Sequence, residues 1–327
     1  MVEPLSNLRL PRDVSEVASR PVLPGLELRK AHRHEIHAAL QMILGGGGDL
    51  AGEEQVVDFL RFAVYRGIDL NDTWVANDKG RVIWAILPVV SPGKTMLLFA
   101  PTHVPSDVKD TAARPLVEMI VSCFRGRAID LAQVLIDPSE RPALSVFADA
   151  GFERLAELVY LDREVRKSHD VTVPPGMSWR TYAAATHEQF TRAIAASYEQ
   201  SLDCPRLNGI RQMEDVIAGH KAAGEFDPKL WFLLCNEQSE PLGVMLLNRS
   251  SRTDALELVY LGLARPARGR GLGDVMMRHA LASAALIGSR RLTLAVDSDN
   301  KPALRLYHRH GLSKVCSRVA LIRDLRN

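Results

Sequence analysis

The sequence predicts an α/β (α+β) protein of two tandem units, each a mixed sheet flanked by helices. Three observations carry this. The chain has 327 residues, more than one typical domain, and its 46% hydrophobic and 24% charged content suits a packed globule. Residues 137–152, DPSERPALSVFADAGF, return without a gap as residues 297–312, DSDNKPALRLYHRHGL. Asp137/Asp297, Pro142/Pro302, Ala143/Ala303, Leu144/Leu304 and Gly151/Gly311 are identical between the copies. Short apolar runs also alternate with helical periodicity along both halves, an order that places helices on the faces of a sheet.

The elements follow in order. Residues 1–25 are rich in proline and charge, lack periodicity, and read as a leader or surface strap. LELRKAHRHEIHAALQMIL (26–44) and MSWRTYAAATHEQFTRAIAASY (177–198) each begin as a short strand and pass into a helix. Gly45–Gly48 stop the first of these helices. Paired strands with turn chemistry between them come next, TWVANDKGRVIWAILPVV (73–90) and LWFLLCNEQSEPLGVMLL (230–247). A third strand, ALELVYLGLA (255–264), leads to a helix over 274–288, with Val275, Met276, Leu281 and Leu286 on its apolar face and Gly288 as its stop. The repeated segments are entered from the buried strands AQVLI (132–136) and LTLAV (292–296), and left through ELVYLDREV (157–165) and SRVALIRDL (317–325). HDVTVPPG (169–176) is the linker. The chain therefore divides into a leader (1–25), a first unit (26–168), the linker (169–176) and a second unit (177–327).

Composition narrows the function. A net charge of +2, from 41 basic and 39 acidic residues, excludes a surface built as a whole for nucleic acid. Cys123, Cys204, Cys235 and Cys316 lie far apart and offer neither a disulfide framework nor a metal-ligand spacing, a usage that fits a reducing cytosol. Neither a signal-peptide core nor an apolar run of membrane-spanning length is present, so a cytoplasmic protein without a membrane partner is expected.

Residues 265–275, RPARGRGLGDV, join the strand 255–264 to the helix after it. A glycine-rich turn at a helix N-terminus presents free N–H groups and the positive end of the helix dipole to an anion. Gly271 and Gly273 let the backbone approach phosphate oxygens, and Arg268 adds a charged donor. A dinucleotide fingerprint requires GxGxxG and an acidic residue about twenty positions on; here the glycines run GxGxG and the next strand ends at Asp297. A Walker loop requires GK followed by Ser or Thr, which is absent. An arginine–glycine segment for RNA is repeated and low in complexity, whereas this is one turn between apolar elements. A pyrophosphate loop of another type is left.

Arg268-Gly269-Arg270-Gly271-Leu272-Gly273 resembles the Arg/Gln-x-x-Gly-x-Gly/Ala signature of the GCN5-related N-acetyltransferases, the GNAT superfamily. Asn300, Ala303, Leu306-Tyr307 and Gly311-Leu312 resemble its C-terminal segment, and the resemblance covers residues 177–327. It implies two mixed, mostly antiparallel sheets in tandem and acetyl-CoA as cofactor. The coenzyme would be held by residues 268–273 with Asp274, by the backbone of Leu261–Leu263 (Leu261 and Leu263), and by Asn300. Tyr307 takes the general-acid position, and Glu257 the place where some members carry the general base. Asn300 is also readable as a helix cap, and Glu257 as a surface carboxylate. SLDCPRLNGIRQMEDV (201–216) falls where the family builds its acceptor loop, so that Tyr198, Asp203, Glu214 and Asp215 are candidates to hold a cationic amine, a small molecule rather than a protein. The reaction implied is direct transfer of acetyl to that amine; a non-catalytic acyl-CoA sensor would share the loop without depending on Tyr307. No metal or nucleic-acid partner is implied, and a homodimer stays open.

An offset of 160 sets residues 268–273 against Val108-Lys109-Asp110-Thr111-Ala112-Ala113, and Tyr307 against Phe147. The first unit thus keeps the pattern without the glycines or the phenol, a tandem layout resembling that of the mycothiol synthases.

Overall fold

A computed structural model describes residues 25–46, 49–165, 173–250 and 253–326. The leader, save Gly25, and the linker before Val173 lie outside the described residues. The first half runs β1 (Leu26–Lys30), α1 (Ile36–Leu44), α2 (Glu53–Arg66), β2 (Trp74–Asp78), β3 (Arg81–Ser91), β4 (Thr95–Phe99) and α3 (Ser106–Val108). A π-helical turn (Lys109–Ala113) then leads to α4 (Arg114–Phe124), β5 (Leu131–Ile136), α5 (Arg141–Asp149) and β6 (Glu153–Glu164). The second half runs β7 (Ser178–Thr181), α6 (His187–Tyr198), α7 (Met213–Ala222), β8 (Glu225–Cys235), β9 (Pro241–Arg249) and β10 (Ala255–Leu263). It closes with α8 (Leu272–Leu286), β11 (Arg291–Asp297), α9 (Lys301–Arg309) and β12 (Ser313–Asp324). The offset of 160 holds at the starts of β3/β9, β4/β10, β5/β11, α5/α9 and β6/β12.

Local chemistry accounts for these limits. Pro115, Pro142 and Pro302 sit in the first turns of α4, α5 and α9, where a missing N–H does no harm. Gly67 closes α2 in the left-handed region at φ +63°. The helix predicted over 274–288 starts two residues earlier, at Leu272, and its last turn leaves the sheet: Leu286 is 88% exposed instead of facing the core.

Among the described residues the strands form one sheet in the order β1-β2-β3-β4-β5-β12-β6-β11-β10-β9-β8-β7. The closing strands have changed places. β6 lies along β11, from Glu164↔Arg291 to Leu158↔Asp297, and β12 lies along β5, from Val319↔Ile136 to Asp324↔Leu131. Each unit completes its core with the other's last strand. Val159 and Leu161 pack under α8, while Val319, Leu321 and Leu325 pack under α4. The exchanged strands also close each other's helices: Arg163 donates to His310 O at the end of α9, and Arg323 to Ala150 O at the end of α5. The boundary drawn at 169–176 separates the halves in sequence but not in space.

Helices cover both faces. In the first unit α1 and α2 pack on one side and α4 and α5 on the other; in the second, α6 and α7 oppose α8 and α9. Among the described residues no helix is long and apolar enough to cross a membrane.

Candidate active site

β10 and β11 run parallel but pair only through Ala255↔Arg291, Leu256↔Leu292 and Glu257↔Thr293. Beyond Glu257 they part, while β10 stays paired with β9 as far as Leu263. One edge of β10, including Leu261 and Leu263, therefore faces the gap without a strand partner. A bulge between Leu258 and Tyr260 falls at the point of divergence, where an extra residue bends and twists the strand. At Gly262 a Cβ would come within 2.5 Å of Ser197 Oγ, so α6 can lie against the strand only because this side chain is missing.

The glycine loop opens beside this gap. Gly269 and Gly271 have φ of +73° and +74°, and an added Cβ at either meets nothing within 4 Å. Glycine at these two positions meets the demand of the left-handed backbone, and no protein atom crowds the position a side chain would take. Gly273 differs: its Cβ would lie 3.0 Å from Leu306 Cδ2, which makes it a contact between α8 and α9. The N–H groups of residues 269–273 find no partner among the described residues. Unpartnered donors at the start of a fifteen-residue helix suit a pyrophosphate.

Two of the expected cofactor residues, Arg268 and Asp274, have partners within the protein. Arg268 donates to Ser197 O (2.8 Å), Gln200 O (3.1 Å) and Leu263 O (3.1 Å), so its guanidinium ties the end of α6 to the end of β10. Asp274 accepts from Arg309 Nη2 (2.9 Å) and from His310 Nε2 (3.0 Å), which ties α8 to α9. Partial burial works to raise the Asp274 pKa, but the bonds from Arg309 and His310 prevail and hold it below the usual value. Arg270 stands exposed at the loop's rim.

Across the gap, α9 begins at Asn300, whose Oδ1 accepts the Ala303 N–H at 3.3 Å, so the capping role is real. Its side chain also hydrogen-bonds Asp203. Asp203 Oδ1 accepts the Asp297 N–H (3.2 Å), and the Cys204 N–H donates to Asp297 Oδ2 (3.2 Å). Tyr307, on α9, is 7% exposed. Burial first, and the Asp203 charge second, keep its phenol protonated well above the usual range. Asp203, Asn300 and Asp297, which sequence reasoning took only for the end of a strand, are thus brought together at the start of the helix that carries Tyr307.

The opposite face supplies another set. Glu257 alternates with Leu256 and Leu258, which pack under α8, so its side chain faces the α6/α7 layer. Burial raises its pKa. Tyr198, at the end of α6, is pushed up to about 12 by burial, and its ring lies edge-on to Tyr260 at 6.0 Å. The Tyr260 hydroxyl is 2.7 Å from Ser197 Oγ. His220, 5.4 Å from the Tyr260 ring, is driven down to about 4 by burial, and its buried Nε2 has no hydrogen-bond partner. Tyr260 and His220 carried no motif in the sequence; on a strand and a helix they read as core aromatics.

Glu214 and Asp215 are the two acceptor candidates that the structure takes away from this cluster. Glu214 is 70% exposed and pairs with His187 Nε2 at 3.0 Å. Asp215 pairs with Lys94 Nζ of the first unit at 3.0 Å. Each carboxylate already has a partner within the protein.

The first unit repeats the parted strands, since β4 and β5 pair only from Thr95↔Leu131 to Leu97↔Gln133. The loop that follows, residues 100–105, holds Pro101 and Pro105 and no glycine, so the cradle is missing. Residues 108–113, the expected counterpart of the loop, are helical instead. β4 ends at Phe99, ahead of the counterpart of Leu263, and the helix begins at Ser106, so an ungapped offset overshoots the true loop. Phe147 is fully buried, 5.3 Å from Phe152 and 6.5 Å from Trp84.

Parallel strands that part, in a mostly antiparallel sheet flanked by helices, define a fold of the GNAT class, present twice in tandem, with the glycine loop only in the second copy. Residues 194–312, within the second unit, match the acetyltransferase (GNAT) family. A mycothiol acetyltransferase of Thermomonospora curvata is 28% identical over 208 residues, covering 60% of this chain and 64% of that protein. A 5-NmdU N-acetyltransferase of Pseudomonas phage PaMx11 is 31% identical over 85 residues, 26% of this chain and 59% of that protein. The chain thus spans less than two thirds of the length of these curated relatives. Among solved structures, a GCN5-related N-acetyltransferase from Sphaerobacter thermophilus superposes with a TM-score of 0.66 at 17% identity, over 94% of this chain and 98% of that one. A tandem GNAT protein from the clavulanic acid biosynthesis pathway gives 0.52 at 14% identity, over 92% and 98%. Both likenesses concern the fold.

Proposed function

We propose that the chain is an acetyl-CoA-dependent N-acetyltransferase whose second unit passes an acetyl group directly to a small-molecule amine in the cytoplasm. The observation that carries this reading is the unpartnered N–H run of residues 269–273 beside the parted strands β10 and β11. When bound, acetyl-CoA supplies an acetyl group activated as a thioester. Residues 269–273 hold the pyrophosphate, and the free edge of Leu261–Leu263 pairs with the amides of the pantetheine arm. Tyr307 holds a proton at Oη, ready for the departing sulfur, from the α8/α9 side. Glu257 faces the other layer, where its carboxylate accepts a proton from the amine. Tyr198, Tyr260 and His220 lie in that layer, and Asp203 sits at the start of α9 on the Tyr307 side. The mycothiol acetyltransferases among the relatives make a mycothiol-related amine the first acceptor class to try.

The test is acetylation of a panel of amines (glucosamine, cysteinamide, lysine, spermidine) followed by mass. Tyr307→Phe is expected to lower kcat about a hundredfold while acetyl-CoA still raises the melting temperature. Coenzyme binding with no acetylated amine in any assay would replace this reading by an acyl-CoA sensor.

A further inference from the structure

The acceptor side of the second unit is held in place by the first. Arg211 Nη2 donates to Gly93 O at 3.0 Å and to Asp215 O at 2.7 Å, and Lys94 Nζ lies 3.0 Å from Asp215 Oδ2. Gly93 has φ +84°, and a Cβ there would stand 2.1 Å from Asp215 O and 2.5 Å from Arg211 Nη2. The turn between β3 and β4 therefore docks on α7 only as glycine. Further along the same segment, Arg206 donates to Arg154 O at 2.6 Å and pairs with Glu153 at the start of β6. Arg326, just past β12, donates to Ile210 O at 2.7 Å. Beyond the end of α7, Arg66 donates to Gly224 O at 2.8 Å, and the Tyr65 hydroxyl donates to Glu225 Oε1 at 2.7 Å. The inner side of the loop carries Asp203 and Cys204, tied to Asp297 at the end of β11.

We propose that the first unit, lacking a cofactor loop, is the platform that sets the acceptor loop, with Gly93 and Arg211 as positioning residues for acceptor binding. The proposal rests on the transfer reading above. An exposed ion pair such as Lys94–Asp215 adds little by itself. The glycine-gated contact and the Arg211 bonds are different, because they fix backbone. A loop ordered before binding loses less conformational entropy when the acceptor arrives, and small misplacements of such a loop weaken productive binding steeply.

The experiment compares the unmodified chain with Gly93→Ala and with Lys94→Glu, which sets like charges at Asp215 and keeps the glycine in case the first variant does not fold. Kinetics use the amine of the panel that the unmodified chain acetylates fastest. Hydrogen–deuterium exchange follows residues 201–222 and, as a reference, 255–297. In Gly93→Ala the KM for the amine is expected to rise about tenfold with the KM for acetyl-CoA within about twofold, and exchange to increase in 201–222 alone; Lys94→Glu should move both readouts the same way. Folded variants with unchanged amine KM and unchanged exchange would overturn the proposal. So would an equal rise in both KM values, which marks general loosening. If the unmodified chain acetylates no amine, the transfer reading fails, and exchange alone decides whether the first unit orders the loop.

Discussion

Burial acts on Glu257 and Tyr307 in the same direction and with opposite consequences. It raises both pKa values, which keeps the phenol loaded with its proton and makes the carboxyl slower to lose one. Below its raised pKa Glu257 is protonated and cannot accept a proton from the amine. The acid limb of kcat/KM is therefore expected above the ordinary carboxylate value of 4.5, and it should vanish in Glu257→Gln together with about a hundredfold loss of rate. A limb that survives in that variant would assign the titration elsewhere. Two histidines couple pH to stability instead. His220 and His279 are held at about 4 by burial, and the His279 ring stacks on Trp179 at 4.2 Å. Their folded pKa lies below the unfolded 6.5, so their contribution is present above that pH and is lost as the pH falls towards 4. Each adds a slope of up to about 1.4 kcal/mol per pH unit in that window. His279→Phe keeps the stack and should flatten the fall in melting temperature between roughly pH 6.5 and 4.5; an unchanged slope would exclude it as a source. Tyr307 and Asn300 were legible in the sequence because they belong to a spaced motif. His220 and Tyr260 were not, because a buried polar residue has the same periodicity as an apolar one.

The glycine loop separates binding from chemistry within a single turn. Gly271→Ala puts a Cβ into a left-handed residue that Gly tolerates, at about 1 kcal/mol or more, and turns the N–H run out of line. The KM for acetyl-CoA should rise about tenfold, with the amine KM unaffected. Gly273→Ala meets Leu306 at 3.0 Å and presses on the helix that carries Tyr307. Its effect is expected in kcat, and a loss confined to the KM for acetyl-CoA would show that Gly273 also serves the cradle. The strand and helix order of both units could be read from apolar runs and the offset of 160, because from β3 onward the copies have drifted little in length. The reading failed at residues 108–113, since the first unit ends β4 at Phe99 and starts this helix already at Ser106. It failed at Leu286 as well, where the apolar pattern outruns the contact with the sheet.

At the scale of the whole molecule the exchange of β6 and β12 makes the tandem chain a dimer joined in one polypeptide. No sequence pattern shows it. β6 and β12 begin at the same offset and have the same apolar character, so either could have returned to its own unit. What selects the exchange is the interlock: β6 fills the edge of β11 over seven paired positions, and its Val159 and Leu161 finish the core under α8. Removing those two side chains alone forfeits roughly 3–6 kcal/mol of burial, comparable to the net stability of a domain, and leaves β11 with an open edge. Residues 177–327 expressed alone are therefore not expected to form a folded monomer. β12 occupies the position related to β6 by the pseudo-twofold of the sheet, so the isolated half should pair with a second copy by lending β12 to its β11, or aggregate. Co-expression with residues 25–165 should instead give a one-to-one complex that recovers acetyl-CoA binding. Light scattering on the two preparations distinguishes these states, and a stable, folded monomer of residues 177–327 would show that the exchanged strand is dispensable.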